Sequence, residues 1–192
     1  MIINIFGPSG SGKTTFVSSL LKSKKTQDFY EKFIGRKSGI NLNKKISISL
    51  IPLPKFRGTI QEFFNIFCID VKYLLNLNEY LNILSKSIFD MQPCEENLIQ
   101  ISERNLETFS AGQIRRLFLL KSLLIDSNII IIDEPFSNSD EKIWENIYRS
   151  IDTKPRSIIL SHVSLEGLFF TNKTNISIHI NEIINTFKIL QS

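Results

Sequence analysis

Alanine, tryptophan, histidine and cysteine are scarce in this sequence of 192 residues, which contains one alanine, one tryptophan, two histidines and two cysteines. Cys68 and Cys94 have neither the spacing of a metal-binding motif nor the number needed for a disulfide framework, which favours free thiols in a reducing compartment. No apolar run approaches the roughly 18 residues of a membrane span, and the start of the chain lacks the features of a secretory signal. We therefore expect an intracellular protein without a membrane anchor of its own.

The overall composition is that of one globular domain with a sizeable core, since 42% of the residues are hydrophobic and 22% are charged. The formal net charge is +4, from 23 basic and 19 acidic residues. Lysines are scattered apart from two short groups at 22–25 and 44–45. This mildly basic surface is weak support for binding to nucleic acid or to an anionic membrane, and solvated lysines are the favoured interpretation.

A glycine-rich stretch follows a short apolar, β-branched segment at the start of the sequence. Residues 2–6 predict a strand, and the residues from Thr15 onward have the apolar spacing of a helix. Between them lies the phosphate-loop pattern G-x-x-x-x-G-K-[ST]. The loop and its immediate continuation comprise Gly7, Pro8, Ser9, Gly10, Ser11, Gly12, Lys13, Thr14 and Thr15. A strand that enters a helix through such a loop is the structural context that this motif requires.

Each residue type in the loop suits a polyphosphate. Glycine permits φ > 0, so successive N–H groups can point into one concavity, and the N-terminus of the next helix adds partial positive charge. Lys13 can reach the terminal phosphates, and the Thr14 hydroxyl can ligate a magnesium ion that bridges them. The alternative is a Gly/Ser turn that binds no ligand, but the flanking strand and helix favour the phosphate site.

Two adjacent carboxylates follow a second apolar segment. The run Ile129–Ile132 is typical of a central strand buried on both faces, and it ends in Asp133, Glu134 and a proline. Open parallel sheets bind ligands just outside the carboxyl ends of their strands. We expect Asp133 to join the magnesium shell through water and Glu134 to lie near a water that attacks the γ-phosphate. The alternative is a cap-and-turn role for the Asp-Glu-Pro segment.

The middle of the chain, residues 59–106, has mostly helical spacing. Ile60, Phe63, Phe64 and Phe67 share one face of a helix, and a second helix is predicted to begin near Asn78. A phenylalanine stripe at helical spacing is more often core than a binding groove. We interpret this region as a helical insertion between two parts of an α/β core.

Two further helix and strand signals follow. The segment Phe109–Gln113 precedes a predicted helix over Ile114–Leu124, and Ser110 or a neighbour is a candidate cap. Ser157–Leu160 predicts a strand, followed by His162. By itself this histidine favours a helix cap or a hydrogen bond to a carbonyl over a catalytic role.

The end of the chain predicts a β-hairpin. Ile176–Ile180 and Ile183–Phe187 are two β-branched runs separated by Asn181 and Glu182. His179 alternates within the first of these strands, and the pattern assigns it no function.

Taken together, these motifs resemble the nucleotide-binding domain of an ABC-type ATPase. In family order they are the phosphate loop Gly7–Thr14, the signature-like segment Phe109–Gln113, the Ile129–Pro135 block, the Ser137–Asp140 segment and the Ser161-His162 pair. The phosphate loop alone fits many NTPases, and the signature upstream of Asp-Glu-Pro narrows the family to this one. The resemblance implies an α/β fold: a P-loop NTPase core with a mostly parallel sheet flanked by helices, plus a helical insertion. It implies one domain over 1–192, with the core at about 1–58 and 110–192 and the helical subdomain at about 59–109.

The resemblance also implies a mechanism in which two such domains pair head to tail and close ATP between them. The signature residues Ser110, Ala111, Gly112 and Gln113 would face the ATP of the partner domain, with Ser110 and Gly112 donating hydrogen bonds to its γ-phosphate. Asp140 would pass information across the interface. The implied catalytic residues are Glu134, which polarises the attacking water, His162, which clamps the γ-phosphate, and Lys13. Thr14 and Asp133 would hold the magnesium ion.

Three positions depart from the family pattern. The phosphate-loop strand begins at Ile2, so the strand and the aromatic residue that usually stack the adenine have no counterpart in this sequence. Leu53 stands where the family has a glutamine after a Val-Pro-Gln-like sequence. Ala111 replaces a glycine of the signature, and its small side chain should still permit a close phosphate approach.

We expect an ATP-hydrolysing subunit, with ATP and Mg²⁺, that drives a separate membrane-embedded transporter and lies at the inner face of a membrane through that partner. Its second ATPase domain would be another copy or a different chain. One alternative is a soluble ABC-type ATPase acting on nucleic acid or ribosomes, which the absence of a concentrated basic stripe disfavours. Another is a weakly hydrolysing regulator, which the presence of both Glu134 and His162 disfavours. We expect no nucleic-acid partner.

Overall fold

The computed structural model describes residues 2–22, 46–49, 53–127, 129–135, 141–152, 157–162, 164–165 and 175–189. The chain divides into two compact units. The first, here called the sheet unit, contains Met1–Ile51, Ser127–Glu134 and Lys154–Ser192. The second, here called the helical unit, contains Pro52–Asp126 and Pro135–Thr153. The predicted single-domain organisation, with a helical subdomain at about 59–109, stays a prediction.

The sheet unit is built on a five-stranded parallel sheet. The strands are β1 (Ile2–Phe6), β2 (Ile46–Ser49), β3 (Ile129–Asp133), β4 (Ser157–Ser161) and β5 (Ile176–His179). Their order is β2-β3-β4-β1-β5, and every pairing is parallel. The carboxyl ends of all five strands therefore lie at one edge of the sheet, which confirms the predicted α/β core with a parallel sheet.

Seven α-helices lie in the described part of the chain. They are α1 (Lys13–Lys22), α2 (Ile60–Ile66), α3 (Glu79–Phe89), α4 (Glu95–Glu103), α5 (Ala111–Leu124), α6 (Glu141–Asp152) and α7 (Ile180–Ile189). Short 3₁₀ helices span Val71–Asn76 and Leu106–Thr108. No helix among these described residues is long and apolar enough to cross a membrane.

The core of the sheet unit combines alternate strand residues with residues of α1 and α7. Ile3 and Ile5 of β1 are fully buried, as is Val17 of α1. Ile180 and Ile183 of α7 belong to the same cluster. Because these strand residues alternate, they project from one face of the sheet, and the two helices cover that face.

The predicted C-terminal hairpin is wrong in its second strand. β5 forms as expected, but Ile183–Phe187 lies within α7. Ile180, Ile183 and Ile184 have the i, i+3, i+4 spacing of a helix as well as the β-branched character of a strand. Burial of Ile180 and Ile183 in the core of the sheet unit favours the helical arrangement.

The helical unit has an aromatic core. Phe63 and Phe64 of α2 are fully buried, whereas Phe67 is partly exposed. The Phe63 ring lies 5.1–5.6 Å from the rings of its neighbours in edge-on arrangements; these are Phe56, Phe64, Phe67 and Phe118. The phenylalanine stripe is therefore core, as predicted. Thr59 and Glu62 form a capping box at the start of α2. The helix α3 begins next to Asn78, as predicted, and Asn78 is its cap.

Candidate functional site

The glycine-rich loop connects β1 to α1 with a backbone that only glycine adopts readily. Gly7, Gly10 and Gly12 have φ values of +153°, +75° and +94°. The N–H of Gly7 donates to the carbonyl of Ser161 at 3.2 Å, which joins the start of the loop to the end of β4. These positive φ angles explain the glycine spacing seen in the sequence. Thr15 lies in the first turn of α1, exposed to solvent.

Lys13 folds back over the loop that precedes it. Its side-chain ammonium donates to the carbonyls of Gly7 at 2.7 Å and Pro8 at 3.1 Å. Only 6% of the residue is exposed. A positive charge is therefore held at the beginning of the loop, where phosphate oxygens are expected.

Thr14 and Asp133 meet although 119 positions separate them in the sequence. The Thr14 hydroxyl donates to a carboxylate oxygen of Asp133 at 2.9 Å. Asp133 ends β3 and is nearly buried. A hydroxyl and a carboxylate oxygen are the hard ligands that Mg²⁺ prefers, usually with waters and substrate phosphates completing its shell. This pair of oxygen donors therefore fits the predicted magnesium ion.

Glu134 lies beside His162 at the same edge of the sheet. Its carboxylate oxygen is 3.4 Å from the His162 Nε2 atom, and the two side chains are 16% and 53% exposed respectively. Burial raises the pKa of Glu134, and the charges of His162 and Lys13 partly oppose that effect. A carboxyl group with a raised pKa is a stronger base than an ordinary glutamate.

The backbone of Glu134 is also unusual. Its φ is +49°, in the left-handed region that a non-glycine residue rarely adopts. Its N–H donates to the carbonyl of Leu160 in β4 at 2.8 Å. Such conformations persist where neighbouring contacts impose them and are concentrated at functional sites.

Asn4 of β1 forms several hydrogen bonds within the sheet unit, and the sequence patterns did not identify it. It is fully buried in β1. Its amide donates to the Ser161 hydroxyl at 2.7 Å and to the Ile159 carbonyl at 3.4 Å. Its oxygen accepts from the Leu165 N–H at 3.0 Å and from the Ser177 hydroxyl at 3.1 Å. A polar residue in an apolar strand was the available signal, because a buried amide needs partners.

The signature-like segment begins α5 in the helical unit. Ser110 is its N-cap, and the side chains of Ser110 and Gln113 each bond the backbone N–H of the other. Gln113 also donates to the Ile88 carbonyl and to the Asp90 carboxylate, both at 2.9 Å. Ser110 and Ala111 are exposed and Gly112 is partly exposed. These hydrogen bonds therefore fix the position of the segment, while its first residues face solvent.

Two other predicted positions are Leu53 and Asp140. Leu53 lines a cavity of about 350 Å³ in the helical unit, together with Phe56, Phe109 and Phe118. Asp140 and the rest of the Ser137–Asp140 segment lie outside the described residues. Among the residues that the structure does describe, no three His, Cys, Asp or Glu side chains form a cluster able to hold a metal ion.

The parallel sheet and the glycine loop between β1 and α1 define a P-loop α/β protein. A sequence model of the ABC transporter family matches residues 1–137, and the chain belongs to that family. ABC transporter ATP-binding proteins hydrolyse ATP.

Individual relatives agree with this family. An ABC transporter ATP-binding protein of Cyanophora paradoxa is 24% identical, over 98% of this chain and 81% of its own length. The zinc import ATP-binding protein ZnuC of Ehrlichia chaffeensis is 28% identical over 79% of this chain. The match covers 56% of that relative, so the chain spans little more than half its length.

A solved structure agrees in fold. An ABC transporter ATP-binding protein from Pyrococcus furiosus superposes with a TM-score of 0.57, over 94% of this chain and 84% of its own. The two sequences are 18% identical, so this likeness concerns the fold alone.

Proposed function

We propose that this chain binds and hydrolyses ATP as the nucleotide-binding subunit of a membrane transporter. The observation that carries the proposal is the meeting of four groups at one edge of the sheet. Thr14 and Asp133 supply oxygen ligands 2.9 Å apart, and Glu134 and His162 supply a base and a polar partner 3.4 Å apart. Membership of the ABC transporter family supports the same reaction.

The loop residues would bind the phosphates of ATP. Backbone N–H groups at Gly10 and Gly12 suit phosphate oxygens because their positive φ values turn the chain into a curve. The Lys13 ammonium would exchange its carbonyl partners for β- and γ-phosphate oxygens. Thr14 and Asp133 would hold Mg²⁺, which would neutralise negative charge on the phosphates.

Glu134 and His162 would act at the terminal phosphate. Glu134 would accept a hydrogen bond from the attacking water and orient it, helped by the raised pKa of its buried carboxyl group. His162, half-exposed beside it, would donate to the γ-phosphate. Lys13 would stabilise the charge that develops during transfer. Catalysis of this kind rests mainly on positioning and electrostatic stabilisation.

The signature segment would complete the site of a second ATPase domain. Ser110 and Gly112 would donate to the γ-phosphate of the partner's ATP, with the N-terminal dipole of α5 assisting. The exposure of Ser110 and Ala111 supports this role. The bonds from Gln113 to Ile88 and Asp90 would keep the segment in place during docking. Asp140 would contact the same partner.

The remaining proposals concern organisation and partners. The chain would form one ATPase domain, in which the sheet unit binds nucleotide and the helical unit contacts a membrane-embedded subunit. The relative named as a zinc import ATP-binding protein supports a transporter role. The protein would then lie at the inner face of a membrane through that partner subunit.

The decisive experiment measures ATP hydrolysis by the purified chain across a range of protein concentrations. If two domains share each site, the rate per subunit should rise with concentration until dimers predominate. Glu134→Gln should reduce turnover at least about 100-fold, since orientation of the water is lost. It should retain ATP binding and accumulate an ATP-bound dimer, which size-exclusion chromatography detects.

Lys13→Ala is the control for the phosphate loop. This variant should lose ATP binding, which equilibrium dialysis measures directly. Normal affinity in Lys13→Ala would contradict the phosphate-loop assignment, and unchanged turnover in Glu134→Gln would contradict the role of Glu134. A rate per subunit that is independent of concentration would contradict the shared site.

A further inference from the structure

His179 lies at the mouth of the phosphate loop, although the proposed reaction does not use it. It is the last residue of β5 and pairs in register with Phe6, the last residue of β1. Phe6 leads directly into Gly7. The imidazole is partly exposed. A polar ring that borders the first residue of the loop is well placed to meet a ligand bound there.

Two contacts determine the orientation of this ring. It packs against Phe6 at nearly a right angle, with ring centroids 5.1 Å apart. Its Nδ1 atom accepts a hydrogen bond from the N–H of Asn181 at 3.2 Å. In the neutral imidazole the proton therefore resides on Nε2, because Nδ1 must supply a lone pair to this bond.

The Nε2 atom faces the loop. A methyl group added at Gly7 would lie 3.5 Å from it, in ordinary van der Waals contact. The Nε2–H group is thus a hydrogen-bond donor at the start of the phosphate loop. Lys13 donates to the carbonyl of the same Gly7 and serves phosphate oxygens in the proposed function, so the order of the strands is needed to assign a ligand group to Nε2.

The order of the strands indicates which part of a nucleotide would reach this donor. Asp133, Glu134 and His162 follow or end β3 and β4, on one side of β1, and β5 lies on the other side. Neighbouring strands are about 4.8 Å apart, so β4 and β5 are separated by about 10 Å. With the terminal phosphate on the β3–β4 side, the opposite end of the nucleotide projects toward β5.

We propose that His179 is a specificity-determining residue that donates a hydrogen bond from Nε2 to the nucleoside portion of bound ATP. This inference rests on the proposed function, because it takes the phosphate loop as the anchor. It assigns His179 to the ribose and base rather than to the phosphates. Removal of the side chain should therefore lower the affinity for nucleotides and leave the affinity for bare polyphosphate unchanged.

The test compares the affinities of Mg²⁺-ATP and Mg²⁺-tripolyphosphate, measured by isothermal titration calorimetry. A neutral hydrogen bond contributes about 1 kcal/mol, so His179→Ala should lower the affinity for ATP about fivefold. Tripolyphosphate affinity should change less than about twofold. His179→Gln, which retains an N–H donor, should recover part of the loss, whereas His179→Phe, which retains only a ring, should not. Asn185→Ala, an exposed position on α7, is the matched control.

Each other outcome has a definite meaning. Unchanged ATP affinity in His179→Ala overturns the inference. An equal loss for ATP and tripolyphosphate also overturns it, because His179 would then act on the loop or on the phosphates. Recovery of ATP affinity in His179→Phe would overturn the proposed hydrogen bond and indicate ring packing instead. Failure of the unsubstituted chain to bind either ligand would instead overturn the proposed function. If His179→Ala does not fold, the Gln and Phe variants decide the question by their difference.

Discussion

The sheet unit and the helical unit place their polar residues by different means. In the sheet unit, Thr14 meets Asp133 and Glu134 meets His162 because parallel strands end at one edge. In the helical unit, Ser110 is held by Gln113 three positions away, and Gln113 also donates to the Ile88 carbonyl of α3. The residues that must come together from different parts of the chain therefore lie at the end of the sheet. The signature-like segment needs only a well-capped helix to hold it in place.

The two units also differ in the side chains that fill their interiors. The sheet unit is filled by aliphatic, mostly β-branched residues such as Ile131 and Ile158, which suit strands buried on both faces. The helical unit is centred on Phe63 and four surrounding rings. Phe63 is fully buried among these rings, so removing it would leave a large cavity in the helical unit.

The largest expected effect follows from removing that central ring. Phe63→Ala should lower the free energy of unfolding by about 3–5 kcal/mol, because the cavity cannot be filled by the remaining rings. Urea denaturation followed by circular dichroism measures this loss. ATP affinity well below the transition should stay within about twofold, since the phosphate loop belongs to the sheet unit.

Ile66→Ala provides the control on the same helix. Ile66 is 62% exposed, so its truncation should change the free energy of unfolding by less than about 0.5 kcal/mol. Equal losses for Phe63→Ala and Ile66→Ala would show that the aromatic cluster is not the centre of the helical unit.

A smaller effect is expected at the phosphate loop. A methyl group at Gly7 would lie 2.7 Å from Cγ2 of Ile180, closer than two carbons can approach. Gly7→Ala should therefore cost about 1–3 kcal/mol in the free energy of unfolding and weaken ATP binding. Ile180→Ala removes the clashing atom, so the double variant should lose less than the sum of the two single variants.

Gly10→Ala separates packing from backbone strain. Gly10 has φ of +75° but open space where a methyl group would lie. Gly10→Ala should lower the free energy of unfolding only through backbone strain, by about 1 kcal/mol. A cost as large as that of Gly7→Ala would show that Ile180 does not constrain the loop.

The last expected effect is a pH dependence in the helical unit. Burial lowers the pKa of Lys121 from 10.5 to about 8, and its ammonium lies 4.7 Å from the centre of the Phe67 ring. The folded state therefore releases this proton more readily than the unfolded state. Its contribution to stability should be complete above about pH 10.5 and be lost as the pH falls through about 8.

Lys121→Met should remove this increment while keeping the length of the side chain. Urea midpoints measured at pH 7, 9 and 10.5 should rise less in the variant than in the unsubstituted protein. Lys72→Met, at an exposed position, should preserve the original profile. An identical profile for Lys121→Met would contradict the assignment of the titration to Lys121.

Sequence patterns predicted the α/β core, the strand of Ile129–Ile132 and the starts of several helices. They succeeded where the signal is local: the helix start near Asn78 depends on a few adjacent residues. They failed at Ile183–Phe187, where a strand pattern and a helix pattern coincide and packing in the core decides. Asn4 was also missed, because its partners Ser161, Leu165 and Ser177 are more than 150 positions away.

The sequence by itself determined the phosphate loop, the carboxylates that end β3 and the order of the family motifs. Each depends on residue type and spacing, which are set by local backbone geometry and by the chemistry of the side chains. Only the tertiary structure decided that the Thr14 hydroxyl lies 2.9 Å from Asp133 and that His179 borders Gly7. Those distances arise from parallel pairing between strands far apart in the chain, which no local pattern specifies.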